Sequence, residues 1–334
     1  MVLSMALALS ACGETEQTQV QTYAMGTTIT ITAYGRNTES GISAAQSIIT
    51  SLANDSDPDI SSSTCYKINH AEGQAVSVSG MMADMITTAI DVSEKSGDAL
   101  DLTTYPLVEL WGFTNGKYYT PSDIEISEKM LNFCMDQINF SKYPMSGAYS
   151  IQLPAYGQIS FEAVAKGCAS KYAVEAMGKA GIESGIVSMA GNVQTLGLKP
   201  DGSNWTIGIT DPHNTGSYLA TVSVGQTAVV TSGTYQKTMP NNPAYHSIIN
   251  PASGYPTSNG LVSVTIVCED GTLADCLSTA MLVLGRTKAT KYWQTYGGFD
   301  MIMITDTNDI YITKGLIDSF DLKNTNYTLQ NPIE

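Results

Sequence analysis

The chain is poor in positive charge. Among 334 residues, 16 Lys and Arg face 31 Asp and Glu, a formal net charge of −15, and the only arginines are Arg36 and Arg286. So acidic a balance argues against a nucleic-acid surface and against a polybasic patch for anionic membranes, because both need clustered Lys and Arg. Cysteines spaced for metal are also lacking. Cys65, Cys134, Cys168, Cys268 and Cys276 form no Cys-x-x-Cys pair and no zinc-ligand spacing. Their odd number points to free buried thiols and not to a disulfide framework. Long apolar runs are missing too. The stretch VLSMALALSAC at the N-terminus is too short to span a bilayer and reads as the apolar part of a secretory signal.

That stretch closes with Leu9-Ser10-Ala11-Cys12, which resembles a bacterial lipobox. The resemblance implies lipidation of Cys12, removal of residues 1–11 as a signal peptide, and an extracytoplasmic protein anchored to the bacterial cell membrane by lipid alone. A basic segment before the apolar run is missing, which would place the true start codon upstream. Residues 12–21 are expected to be a polar tether, and 22–334 one domain.

What remains is ordinary globular material, 43% apolar and long enough for a large core. TTITITAYG alternates as a half-buried strand, and TESGISAAQSIITSLAND follows at helical spacing. DPDISSSTCYKINHAEG reads as a loop, and MMADMITTAIDVSEKSG as a helix stopped by Gly97. Alternation over 147–161 precedes a helix expected at 162–180, starting from Glu162. Strands are expected within 185–197, 204–210, 218–232 and 260–268. After them come a helix to about residue 285, a shorter one, and a hairpin across MIMITDTNDIYITKG. Antiparallel-looking runs with interspersed helices predict an α+β fold.

The segment CEDGTLADCLSTAMLVLG, 268–285, sets Asp275 and Thr279 one helical turn apart in a stretch otherwise fit for burial. By themselves these residues leave two readings open: a small oxygen-ligand site, or acids and hydroxyls that cap a helix start.

Eight blocks, in order, resemble the ApbE-type FAD:protein FMN transferases of bacteria. They are MGTTITITAYG at 25–35, SGDALDLTTYPLVELWGF at 96–113, ISFEAVAKGCASKYAVEAM at 159–177, VSMAGNVQTLG, WTIGITDP, AVVTSGTYQK, IINPASGYP and SVTIVCEDGTLADCLSTAMLVLG. The resemblance implies a single catalytic unit of two interleaved subdomains, with mainly antiparallel sheets and flanking helices. It implies FAD as substrate and a Mg²⁺-dependent attack on its pyrophosphate by a Thr or Ser hydroxyl of an exported redox protein, releasing AMP. Two alternatives go with it: hydrolysis of FAD by water to FMN and AMP, and a flavin-binding lipoprotein weakened in catalysis. The implied metal ligands are Asp275, Thr279 and the carbonyl of Ala163. Mg²⁺ favours such hard oxygen ligands, with substrate phosphates and water completing its shell. Lys166 would hold the flavin nucleotide. Met25, Ala99, Leu100, Asp101, Ser160, Thr231, Ser232 and Gly233 match flavin, nucleotide or phosphate contacts.

The pattern breaks where the family carries its catalytic base. Its His-(Ile/Val)-Ile-Asp-Pro is here Ser247-Ile248-Ile249-Asn250-Pro251, with His246 one place early. In a strand, one place means the opposite face. The candidates for the base are therefore Ser247 at the family position, His246 if the backbone bulges, and Glu162 as a substitute. Gly-Gly-Asn is likewise Ala190-Gly191-Asn192, and Asp-x-Gly is Ser160-Phe161-Glu162.

Overall fold

The computed structural model describes residues 16–143 and 147–334. The lipobox and Cys12 lie outside the described residues. A nine-stranded sheet runs through the molecule in the order Gln17–Ala24, Thr27–Tyr34, Ser184–Met189, Asn192–Leu196, Ala228–Gly233, Leu261–Cys268, Asp300–Thr305, Asp309–Ile312 and Thr328–Leu329. Each neighbouring pair is antiparallel except the last, which is parallel. Together with the helices, this is the expected α+β class.

Alternation along these strands sorts their side chains onto two faces. Ile29, Ile31, Val187, Val230, Ile266, Met301 and Met303 join one buried cluster. The helices α1 (Thr38–Ser56), α2 (Thr64–Asn69) and α3 (Gly80–Ser96) contribute to that cluster. Two short helices follow, α4 (Tyr105–Leu110) and α5 (Asp123–Met130). The cluster is completed by α6 (Ala165–Lys179) and α7 (Gly271–Tyr296). Val229, Ile302 and Ile304 point the other way and meet Trp205, Ile207, Leu219 and Val222 of a three-stranded sheet. A third cluster joins Leu107, Trp111, Phe113 and Ile126 to Met239 and Ile249, beside the hairpin Thr238–Met239/Asn242–His246.

Several boundaries differ from expectation. Residues 17–21, expected in the tether, open the edge strand Gln17–Ala24, which has little apolar signal because it gains its order from pairing with Thr27–Tyr34. The expected loop at 57–73 contains α2, capped by Ser63 and anchored by only two buried residues, Cys65 and Ile68. Alternation at 147–161 yields one strand, Tyr149–Gln152. The helix expected from Glu162 begins at Ala165, after a turn in which the Phe161 carbonyl accepts from both Val164 and Ala165. The break after residue 284 is real: Gly285 has φ 74°, and the Asn259 amide caps the carbonyls of Leu282 and Val283. The five cysteines among the described residues are free and buried, and burial pushes the thiols of Cys65, Cys168 and Cys268 up to about 12.

Candidate active site

The site is built where the starts of α6 and α7 meet the end of the large sheet. The N-terminal capping of α7 belongs to Asp270, whose carboxylate accepts from Thr272 N–H at 2.8 Å and Leu273 N–H at 3.2 Å. Asp275 does something else. Its Oδ2 accepts the Gly167 N–H of α6 at 2.7 Å. In a regular continuation of the helix that amide would bond to the carbonyl four residues back, Ala163. Among the described residues, no main-chain hydrogen bond ends on the Ala163 carbonyl. One diverted amide thus frees a carbonyl oxygen and engages only one oxygen of a carboxylate that is 5% exposed.

Close backbone contact makes this arrangement possible. A Cβ on Gly167 would sit 2.0 Å from the Gly271 carbonyl oxygen, and one on Gly271 would sit 2.7 Å from that of Gly167. Only glycine fits at either position. Burial raises the Asp275 carboxyl above its ordinary value, against the pull of the Lys166 charge and of the Gly167 and Lys166 amides. The ammonium of Lys166 makes no salt bridge among the described residues, in contrast to Lys171, which pairs with Asp84 and Asp270, and to Lys237.

Thr279 lies one turn further along α7, and Ser232 Oγ is 3.1 Å from its hydroxyl and 2.7 Å from that of Ser278. Ser278 in turn donates to the Asp275 carbonyl at 2.9 Å. These contacts dock the strand end Thr231–Gly233 on the Asp275–Thr279 turn. A Cβ on Gly233 would lie 2.3 Å from the Tyr235 ring, so any side chain there would have to displace that ring.

Two tight turns sit at the same end of the sheet. Ile29 pairs with Met189 and Val230 with Asn192, which sets the turn Met25-Gly26 next to Ala190-Gly191, and Ala190-Gly191 next to Thr231–Gly233, along one end of the sheet. The Thr231 N–H donates to the Gly191 carbonyl at 2.8 Å. Met25 and Ala190 hold positive φ, 49° and 38°, in the left-handed region that L side chains disfavour.

A charged group completes this rim. Lys237 donates to Glu162 Oε1 at 2.7 Å, and both side chains are partly exposed. Desolvation raises the Glu162 carboxyl, but Lys237 and Lys166 outweigh it and hold the group below its ordinary value. The Ser160 hydroxyl accepts the Glu162 N–H at 3.2 Å, and the Ser160 N–H reaches the Leu102 carbonyl at 3.1 Å. That bond ties residues 99–102 to the turn before α6. Ala99 and Leu100 are buried, so they offer the site mainly backbone. The Asp101 carboxylate is committed to Thr103, at 2.6 Å from both its N–H and its hydroxyl.

The candidate bases separate cleanly. His246 is 3% exposed, its Nε2 lies 3.0 Å from the Thr257 carbonyl, and its Nδ1 accepts the Ile248 N–H at 3.3 Å. Both ring nitrogens of His246 are engaged with main chain, although the hairpin has a register irregularity at Thr238/Met239, opposite His246. Ser247, just past the strand end, is half-buried, and its N–H is bonded to the Lys237 carbonyl at 3.0 Å. Sequence reasoning gave no role to Lys237, Ser278, Ser170 or Asn192. Lys237 stood inside a quoted block, but its ion partner is 75 residues away and left no local trace.

Among the described residues, no three His, Cys, Asp or Glu side chains converge as a metal-binding group. A cation here would rest on one carboxylate, a hydroxyl and a carbonyl, leaving positions for water and phosphate. That donor set suits Mg²⁺ and does not suit zinc.

Known proteins resemble this chain in both sequence and fold. The sequence profile of the ApbE family matches residues 25–303. The FAD:protein FMN transferase of Treponema pallidum is 29% identical over 276 residues, covering 79% of this chain and 76% of its own. That of Haemophilus influenzae is 26% identical over 326 residues and covers 93% of each chain. The crystal structure of the ApbE protein of Thermotoga maritima superposes with a TM-score of 0.82 at 26% identity, over 89% of this chain and 97% of its own. With a profile match over most of its length and the fold to go with it, the chain belongs to the ApbE family.

Proposed function

We propose that this chain transfers the FMN half of FAD to a threonine or serine hydroxyl of an exported redox protein, with Mg²⁺, and releases AMP. The observation that carries this reading is the diverted Gly167 amide, which bonds to the Asp275 carboxylate and leaves the Ala163 carbonyl without a main-chain partner. Bound there, Mg²⁺ would offset charge developing on the leaving phosphate. Lys166 holds its ammonium toward the same place and serves the pyrophosphate. The turns at Met25 and Ala190 and the strand end Thr231–Gly233 provide the wall against which the flavin nucleotide is oriented.

In the transfer, the acceptor oxygen bonds to the FMN phosphorus while the pyrophosphate P–O bond to AMP breaks. The acceptor's proton must leave. Glu162 takes it in this reading, since it is ionised, partly exposed and held in place by Lys237. A carboxylate so stabilised is a weak base, so transfer is slower than with an imidazole matched to neutral pH. Ser247, at the family's histidine position, supplies no proton acceptor. That replacement favours one second reading, in which water competes with the acceptor and FAD is hydrolysed to FMN and AMP.

The deciding experiment is incubation with FAD, Mg²⁺ and a candidate exported acceptor, followed by intact mass. A gain of one FMN on the acceptor supports transfer; AMP and free FMN without any gain support hydrolysis, and neither product refutes both. Anchoring is part of the proposal. Cys12→Ala should move the protein from the membrane fraction to the soluble one, and a soluble wild type with residues 1–11 intact would exclude the lipoprotein.

A further inference from the structure

Asn192 follows the strained Ala190-Gly191 turn and is 1% exposed. Its side-chain amide meets Ser170 Oγ of α6 at 2.7 Å, and Ser170 Oγ lies 3.0 Å from the Gly167 carbonyl. Ser170 has one hydroxyl proton to give. If the Asn192 carbonyl faces Ser170, that proton has two acceptors to serve, and the buried Asn192 amino group has no partner. Exchanging oxygen and nitrogen of the amide ends the competition for the Ser170 proton and gives the amino group an acceptor, leaving the amide oxygen in the position without a partner. The amino group then donates to Ser170 Oγ, and the Ser170 proton goes to Gly167. Amide orientation follows from the hydrogen-bond network, and here the network selects the exchanged form.

We infer that Asn192 is a positioning residue for the metal cradle, acting through a relay from the sheet to α6 to α7: Asn192 to Ser170, Ser170 to the Gly167 carbonyl, and the Gly167 N–H to Asp275. This inference rests on the metal site of the proposed function. Gly167 is gripped at both of its polar groups, and without a Cβ it has no side-chain packing of its own to hold it in place. The relay keeps the first turn of α6 where its amide serves Asp275 and the Ala163 carbonyl stays free. Ser170 is fully buried, so water does not substitute for it. Partners of this kind behind a ligand change metal affinity by about 10–100-fold when removed.

The test uses the full chain and two readouts. The first is hydrogen exchange of the metal-free protein. Ser170→Ala and Asn192→Ala should speed exchange of the Gly167 amide by on the order of tenfold, the loss of one supporting hydrogen bond. The second is Mg²⁺ titration in the presence of FAD, followed by calorimetry. Half-saturation should rise about tenfold or more in both variants, while FAD affinity without Mg²⁺ is unchanged. Asn192→Asp fixes the orientation, since a carboxylate cannot donate and draws the Ser170 proton away from Gly167. It should be as damaging as Asn192→Ala. Ser170→Ala removes a single oxygen and guards against a misfolded Asn192 variant. Wild-type exchange and wild-type Mg²⁺ half-saturation in Ser170→Ala, or a fully competent Asn192→Asp, would overturn the relay. If wild type binds Mg²⁺ yet releases no AMP, the transferase reading fails while the relay is still decided by exchange and titration.

Discussion

The amide of Gly167 bonds to the carboxylate of Asp275 at 2.7 Å, across 108 positions of sequence, and not to the Ala163 carbonyl four residues behind it. The cation site proposed above depends on this exchange of partners. Asp275→Asn keeps the shape and still offers an oxygen to Gly167, but it removes the full charge from the cation's surroundings. Mg²⁺-dependent release of AMP from FAD should fall by at least ~10²-fold, in keeping with a lost metal ligand. Thr279→Val deletes a neutral oxygen that water can replace, and should cost about tenfold or less. Equal AMP release from wild type and Asp275→Asn at saturating FAD would remove this carboxylate from the reaction.

Gly167→Ala tests the close crossing of α6 and α7. The added methyl would lie 2.0 Å from the Gly271 carbonyl, so the helices must part. Overpacking of this kind typically costs ~1–3 kcal/mol. The melting temperature should drop, and Mg²⁺ half-saturation should rise even where the variant is folded. A variant with native stability and native Mg²⁺ response would mean that the two backbones are not in contact in solution.

Much of this was legible in the sequence, because the informative signals were local. Alternation marked the long strands, and the helix end expected near residue 285 fell at the break in α7. The part that was hidden depends on contacts between distant segments. The helix expected from Glu162 begins at Ala165, and those three residues of difference are the ones that place the Ala163 carbonyl outside the helix. No periodicity distinguishes a helical first turn from a tight turn before a helix. Asp275 looked like a cap for its own helix, and it caps a different one. The Lys237–Glu162 pair and the Asn192–Ser170 contact link elements with no sequence pattern in common.

The base assignment rests on Glu162 and Ser247 having different chemistry at one rim. Glu162→Gln should slow transfer by ~10²-fold or more, within the range for loss of a general base. Ser247→His should accelerate it, because an imidazole with an ordinary value near 6.5 is matched to neutral pH. Initial rates of acceptor flavinylation at fixed FAD and Mg²⁺ decide the matter. If Glu162→Gln keeps the native rate, the proton leaves by another route.

Strain at the sheet end predicts different outcomes at its two turns. Met25 at φ 49° and Ala190 at φ 38° occupy a region that costs an L residue roughly 1–2 kcal/mol. Ala190→Gly should raise the melting temperature by about 2 °C, the expectation for ~1 kcal/mol in a protein of this size. Met25→Gly relieves the same strain but deletes a side chain that packs against the core at the proposed flavin wall, so it should not raise the melting temperature and should weaken FAD binding. Stabilisation by Ala190→Gly alone, with FAD affinity lost only in Met25→Gly, is the expected outcome. A neutral or destabilising Ala190→Gly would show that the turn is relaxed.

His246 should reveal itself in stability and not in rate. Burial holds its imidazole below the ordinary value, opposed in part by the bond to the Thr257 carbonyl. The unfolded chain therefore binds a proton at His246 near pH 6.5, while the folded chain refuses it until the pH is lower. Below that pH the unfolded state carries more protons, so stability rises with pH through this window. The contribution of His246 is thus fully present above about pH 6.5 and is lost as the pH falls toward its depressed folded value. His246→Gln can still donate to Thr257 but does not titrate. Denaturation midpoints measured from pH 7.5 down to 5 should fall less steeply in His246→Gln than in wild type. Its transfer rate at neutral pH should stay within about twofold of wild type, because neither ring nitrogen is free to move a proton. A variant with the wild-type pH slope in stability but a crippled rate would reverse the assignment and return the base to His246.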